Sequence, residues 1–205
     1  MANTTFTGPV RSINGFEQIS KNATTGAITI ISGSKMATEA LGSAGIEGTA
    51  ETYITQVERF KSDTTTNVNL VKTTLMIDLT GLASSGADDI IGKAGTGVAY
   101  IGRVTTADTG VVFGVTMECF ETPAGGDPDI DLYSATEATG VEDSAIGDLT
   151  ETQIINSGDL AAGSRVAGGG IVADQYLYLV AGAATNADYT AGRIVITIHG
   201  YDVAS

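Results

Sequence analysis

From Val68 to Leu79 the chain alternates with a period of two: Val71, Thr73, Leu75, Ile77 and Leu79 share one side, while Lys72, Thr74 and Asp78 share the other. Only a pleated strand turns that period into one apolar face and one wet face. The same grammar recurs from Tyr53 onward, where runs of β-branched and aromatic residues are separated by Gly, Asp, Asn and Ser clusters. The 27 glycines and the low charged fraction of 17% suit a β-rich chain with many turns, and 42% apolar residues suffice for a core. In Val111 to Phe120 the residues Val111, Phe113, Val115, Met117 and Cys119 point one way. Val98 to Val104 reads as the hairpin partner of that strand, with Thr105 to Gly110 as the loop. Gln175 to Ala181 and Arg193 to Val203 read as a closing antiparallel pair, with Ile194, Ile196 and Ile198 facing opposite to Arg193, Val195, Thr197, His199 and Tyr201. The fold class expected is all-β, an antiparallel β-sandwich or jelly-roll-like barrel with an extended N-terminal arm.

At 205 residues the chain can bury roughly 70% of its unfolded surface in one main domain. Residues 1–50 form the arm: polar, with isolated apolar positions at Phe6, Val10, Ile13 and Phe16 and one apolar run, Ile28 to Ile31, that reads as a short strand. Residues 51–205 form the β-domain. Within it, 121–151 reads as a long acidic loop, broken by Pro123, Pro128 and several glycines, with a single strand at Ile130 to Tyr133. Thr150 to Asn156 leaves room for a short helical turn.

Charge is divided unevenly along the chain. Between Arg103 and Arg165 there is no Lys or Arg but there are twelve carboxylates. Residues 1–103 hold eight basic and nine acidic groups, net −1, and residues 104–205 hold two basic and fifteen acidic groups, net −13. One surface able to dock and one that repels its own copies is the physical expectation. A net charge of −14 argues against nucleic acid, whose affinity comes from cations that neutralise phosphates, and against anionic membranes. No apolar run approaches the ~20 residues of a membrane helix, and the first residues carry neither a basic region nor an apolar stretch, so no secretory signal is read.

The chemistry-bearing motifs are incomplete. Asp127, Asp129 and Asp131 have the spacing that opens an EF-hand, but Leu132 stands where the turn needs Gly and Ala138 where it needs Glu. A looser divalent site on these three carboxylates is the one metal candidate. Gly92 to Gly97 invites a phosphate-loop reading, yet Gly97 to Gly102 is followed by Arg103 and Val104, without the Lys and hydroxyl that such a loop requires. Nucleophilic catalysis would have to join the only cysteine, Cys119, to the only histidine, His199, and both sit inside strands. The 24 carboxylates admit a glycosidase pair by number, but Trp is absent and other sugar-stacking aromatics are few. The expectation is a non-enzymatic protein without a cofactor.

The opening Met1 to Phe16, MANTTFTGPVRSINGF, and the closing Tyr189 to Asp202, YTAGRIVITIHGYD, resemble small virion structural proteins of tailed bacteriophages of aquatic bacteria. Such proteins are similar to head decoration, or cement, proteins. The resemblance implies a virion location on the outer surface of the capsid, the major capsid protein as partner and a homotrimer. It also implies docking through the arm around Phe6, Val10, Arg11 and Phe16. The alternative is a receptor- or glycan-binding head fibre or tail knob, with loop 121–151 as its recognition surface.

Overall fold

The computed structural model describes residues 19–21, 28–30, 50–60, 67–95 and 97–204. Residues 1–34 are a unit of their own, in which β1 (Ile19–Lys21) pairs antiparallel with β2 (Ile28–Ile30). Phe6, Val10, Arg11 and Phe16 lie outside the described residues.

The second unit, residues 35–205, holds β3 (Ala50–Phe60), β4 (Asn67–Asp78), β5 (Ala83–Ser84), β6 (Gly102–Arg103) and the one-turn helix α1 (Thr106–Thr109). It continues with β7 (Val111–Ala124), β8 (Ile130–Ala135), β9 (Glu151–Ile155), β10 (Arg165–Gly168), β11 (Tyr176–Ala181), β12 (Ala187–Asp188) and β13 (Ala191–Ala204). One antiparallel sheet runs β10-β7-β13-β4-β3 and another runs β6-β11-β8-β9, with β12 and β5 as a small ribbon. The architecture is all-β.

The core forms where the two sheets face each other. Leu75 and Ile77 of β4, Val115, Met117 and Cys119 of β7, and Ile194, Ile196 and Ile198 of β13 meet Ile130 and Leu132 of β8 and Leu177 and Leu179 of β11. Each of these is nearly sealed from water, and burying an aliphatic side chain fully contributes about 1.5–3 kcal/mol. The alternation read in β4 and β13 is the one that points these residues inward.

The other face of the four-stranded sheet is covered by its own chain. Tyr133 and Ala135 of β8 and Tyr178 and Val180 of β11 pack with Ile90, Ala99 and Ile146, and Tyr100 and Leu149 lie against them. Backbone bonds fasten this layer: Ile90 N–H donates to the Ser144 carbonyl at 2.9 Å, Ala99 N–H to Gly140 at 2.7 Å and Ile91 N–H to Leu179 at 2.8 Å. The Tyr178 hydroxyl donates to the Glu137 carbonyl at 2.8 Å, and burial pushes its pKa up to about 12.

Several expectations are corrected. Val98 to Val104 does not pair with β7; its only strand, β6, pairs with β11 in the other sheet. Thr105 to Gly110 is accordingly no hairpin loop. The Thr105 hydroxyl accepts the Asp108 N–H at 3.2 Å and Gly110, at φ 66°, ends the turn, a capped helical turn that carries the chain between sheets. β11 and β13 also belong to different sheets and do not pair with each other. The segment 121–151 is less of a loop than expected, since β7 continues to Ala124 and β8 runs to Ala135 with all six of its residues buried. Glu151–Ile155 is a strand, β9, instead of a helical turn, because it completes the edge beside β8.

Val111 and Phe113 point outward, unlike Val115, Met117 and Cys119. The register shifts between His199↔Gly114 and Gly200↔Val112, which leaves Phe113 as the extra residue of a bulge. Past that point the alternation inverts, and Val112 packs on the core.

Candidate functional site

Asp127, Asp129 and Asp131 span the turn into β8 and its first residues. Asp127, 1% exposed, accepts the Asp129 N–H at 3.1 Å and the Ala183 N–H at 2.7 Å. Its own N–H donates to Ser84 Oγ at 2.9 Å, and its carbonyl accepts the Tyr189 hydroxyl at 2.7 Å. Asp131 accepts the Ser157 N–H and the Gln153 side-chain amide, both at 2.8 Å. These two carboxylates therefore staple the loops around Ser157 and Ala183 to the start of β8. Asp129 is held close to the backbone of Gly182, where an added Cβ would meet its carboxyl carbon at 2.4 Å, and its Oδ1 is buried without a hydrogen-bond partner. Burial first, then the neighbouring Asp131, Asp127 and Asp159 charges, raise the pKa of Asp129. Burial also raises that of Asp131, partly offset by its two hydrogen bonds. Among the described residues no group of three or more His, Cys, Asp or Glu is arranged to hold a metal ion.

Cys119 and His199 are kept apart by the sheet. Cys119 faces the core, its thiol 3.2 Å from the Glu121 carbonyl, and burial raises its pKa. His199 faces the opposite side of the same sheet. The ladder pairs Ile194 with Cys119 and His199 with Gly114, so the two also stand about 17 Å apart along the strands. No transfer of a proton between them follows from that geometry. The glycine-rich loop from Gly92 is tied down by Ala83, whose N–H donates to the Gly92 carbonyl at 2.7 Å, and a Cβ on Gly92 would meet those of Ala99 and Glu142. That glycine serves a close approach of chain segments.

The outward face of the five-stranded sheet is the feature that sequence reasoning placed only in part. Seven large hydrophobic side chains are exposed among the described residues, and five of them, Met76, Val111, Phe113, Phe120 and Tyr201, belong to this sheet. Phe113 lies 6.2 Å from the His199 ring and 6.5 Å from the Tyr201 ring, both tilted. Beside this aromatic group the ladder sets Thr74, Thr197 and Thr116 in one row across three strands. Arg193 pairs with Asp78 at 3.1 Å and Arg165 with Glu118 at 2.9 Å. Among the described side chains, Lys72 and Glu121, opposite His199 and Arg193 in the register, complete a set of three cations and three carboxylates.

The opposite side of the domain carries the acid. The covering segments 86–101 and 136–149 bear Asp88, Asp89, Glu137, Glu142, Asp143 and Asp148 against a single cation, Lys93. The division of charge in space is not the division along the chain: the acidic layer takes Asp88 and Asp89 from the first half and Glu137, Glu142, Asp143 and Asp148 from the second, while β7, β10 and β13 of the acidic half lie in the five-stranded sheet. The spacing of Lys72 and Asp78 in β4 and the outward row of β13 signalled this face; the bulge that exposes Phe113 had no such signal.

No family model, curated protein or solved structure matches this chain.

Proposed function

We propose that this chain is a decoration, or cement, protein of a bacteriophage head, bound to the outer capsid surface and bridging subunits of the major capsid protein. The observation that carries the reading is the polarity of the β-domain: a sheet face with exposed apolar groups, charge-balanced among its described side chains, on one side and a layer with six carboxylates and one lysine on the other. A protein with one adhesive side and one anionic side suits a surface-coating role, in which the acidic layer keeps coated particles apart in solution. The resemblance of the chain's two ends to virion structural proteins points the same way, and the closing stretch, Tyr189 to Asp202, supplies the central strand of the five-stranded sheet. Docking runs through Phe6, Val10, Arg11 and Phe16, and several copies engaging one lattice multiply a weak contact by avidity.

Binding to purified capsids, followed by co-sedimentation, tests this reading. The full chain is expected to pellet with capsids, and a chain lacking residues 1–18 to stay in the supernatant with its β-sheet circular dichroism intact. Equal pelleting of the two would remove the arm from the account, and no pelleting of the full chain would remove the decoration role.

A further inference from the structure

We propose that the chain cuts itself at the Asp127–Pro128 peptide bond, in a single hydrolysis that uses the Asp127 carboxylate as nucleophile and the Tyr189 hydroxyl as donor to the carbonyl oxygen of that bond. The chain has three prolines, and Pro128 is the one that follows an aspartate. An aspartate side chain can reach its own main-chain carbonyl carbon by closing a small ring, and a nucleophile held that close acts at a very high effective concentration. The competing ring closure, through the nitrogen of the next residue, needs an N–H that proline lacks.

The fold fixes both reacting groups. Asp127 is 1% exposed, and each of its carboxylate oxygens accepts a backbone N–H, Oδ1 from Asp129 at 3.1 Å and Oδ2 from Ala183 at 2.7 Å. The side chain is thereby held beside its own main chain. The Asp127 carbonyl accepts the Tyr189 hydroxyl at 2.7 Å. Tyr189 is itself sealed from water, and burial raises its pKa, so the hydroxyl keeps its proton and remains a donor as negative charge grows on the carbonyl oxygen. Gly126 permits this approach, since a Cβ there would meet the Tyr189 ring at 2.7 Å. Asp129, the residue after Pro128, supplies the proton. Its Oδ1 is buried without a hydrogen-bond partner, and burial together with the Asp131, Asp127 and Asp159 carboxylates favours its protonated form. Asp88 and Asp127 bear in turn on Asp131.

In the first step an Asp127 carboxylate oxygen bonds to the Asp127 carbonyl carbon and the bond from that carbon to the Pro128 nitrogen breaks. The electron pair leaves on nitrogen, which takes the Asp129 proton, and residue 127 is left as a cyclic anhydride. Water then opens the anhydride to two carboxylates. Of the two protons released, one returns to Asp129 and one makes the Pro128 terminus an ammonium, a cation formed beside Asp127, Asp129, Asp131 and Asp159, which favours the cut state. The pieces, 1–127 and 128–205, stay interlocked, because β13 of the second lies between β4 and β7 of the first and β11 of the second pairs with β6 of the first. The inference goes beyond the decoration reading and holds or fails without a capsid.

The test is incubation of the purified full-length chain between about pH 4 and 7, the range in which a raised Asp titrates, with intact mass measured under denaturing and native conditions. Folded wild type is expected to yield 1–127 and 128–205 under denaturing conditions, faster as pH falls, while the native mass gains only one water. The same chain unfolded in guanidinium chloride at the same pH is expected to be cut at least about tenfold more slowly, since it lacks the fixed geometry. Tyr189→Phe is expected to slow the folded reaction by about 100-fold, as for loss of one oxyanion donor. Asp129→Asn is expected to remove the rise toward low pH, and Asp127→Asn to abolish cutting. Circular dichroism establishes that each variant is folded. Intact wild type throughout, cutting at another bond, cutting as fast in the unfolded chain, or an unchanged rate in folded Tyr189→Phe each overturns the proposal. The comparison of folded with unfolded wild type stands even where a variant fails to fold.

Discussion

Ile196 sits at the middle of β13, the central strand of the larger sheet, with no exposed surface, between the ladders to β4 and β7. Ile196→Ala should lower the unfolding free energy by about 2–5 kcal/mol, read from chemical denaturation, because the packed surroundings cannot close the cavity. That position was legible in the sequence, since the alternation of Ile194, Ile196 and Ile198 against Thr197 and His199 has one satisfactory burial. Asp127 was not legible, because a carboxylate used to hold backbone N–H groups of Asp129 and Ala183 looks the same in sequence as one that binds a cation. The Asp129 and Asp131 pKa values are raised in the fold, so the folded chain takes up protons before the unfolded chain does as pH falls. Their contribution to stability is therefore fully present below the ordinary Asp value of 3.8 and is lost as pH rises through the folded values. Asp129→Asn should raise the melting temperature at neutral pH, by a gain on the order of 1 kcal/mol. It should also flatten the loss of stability as pH rises above the ordinary Asp value of 3.8. An unchanged slope would show that Asp129 does not feel its neighbours.

At the scale of elements, the contact between α1 and β13 decides how the chain crosses from one sheet to the other. An added Cβ on Gly200 would come within 1.8 Å of the Thr109 carbonyl oxygen, and one on Gly110 within 2.5 Å of the Tyr201 carbonyl oxygen. Both partners are backbone, so neither clash can be relieved by turning a side chain. Gly200→Ala should cost at least about 1–3 kcal/mol in a denaturant melt, the range for overpacking, and Gly114→Ala, where a Cβ meets nothing within 4 Å, should cost far less. Similar losses at the two glycines would contradict the close approach. This crossing was the point at which pattern reading failed. Two neighbouring β-runs separated by six residues suggest a hairpin, but the Thr105 cap and the left-handed Gly110 spell a helical turn. Strands β4 and β13 were legible from their own alternation, β7 only from Val115 to Cys119 and β11 as a short apolar run, whereas their partners were not, because period two fixes which residues share a face and says nothing of which edges meet. β9 was missed because Glu151–Ile155 has only Ile154 and Ile155 buried, too few to show a period.

At the scale of the whole molecule, the acidic layer over the four-stranded sheet sets six carboxylates against Lys93, a net −5 of the chain's −14, and its self-repulsion opposes folding in dilute buffer. Raising sodium chloride from about 0.02 to 0.5 M should therefore raise the melting temperature, because screening acts on the acidic layer more than on the paired charges of the sheet. A melting temperature that falls with salt would place the net electrostatic effect in ion pairs such as Arg193 with Asp78 instead. The acidic bias was visible in the sequence from the run without Lys or Arg, but its gathering onto one side depends on segments 86–101 and 136–149 closing over one sheet, which no local pattern encodes. The decoration reading requires that many copies of this polar domain coat one lattice. Quantitative mass spectrometry of purified particles, giving copies of this chain relative to the major capsid protein, tests that claim most directly. The account predicts a fixed small-integer ratio to the capsid protein; a few copies per particle, or none, would contradict it.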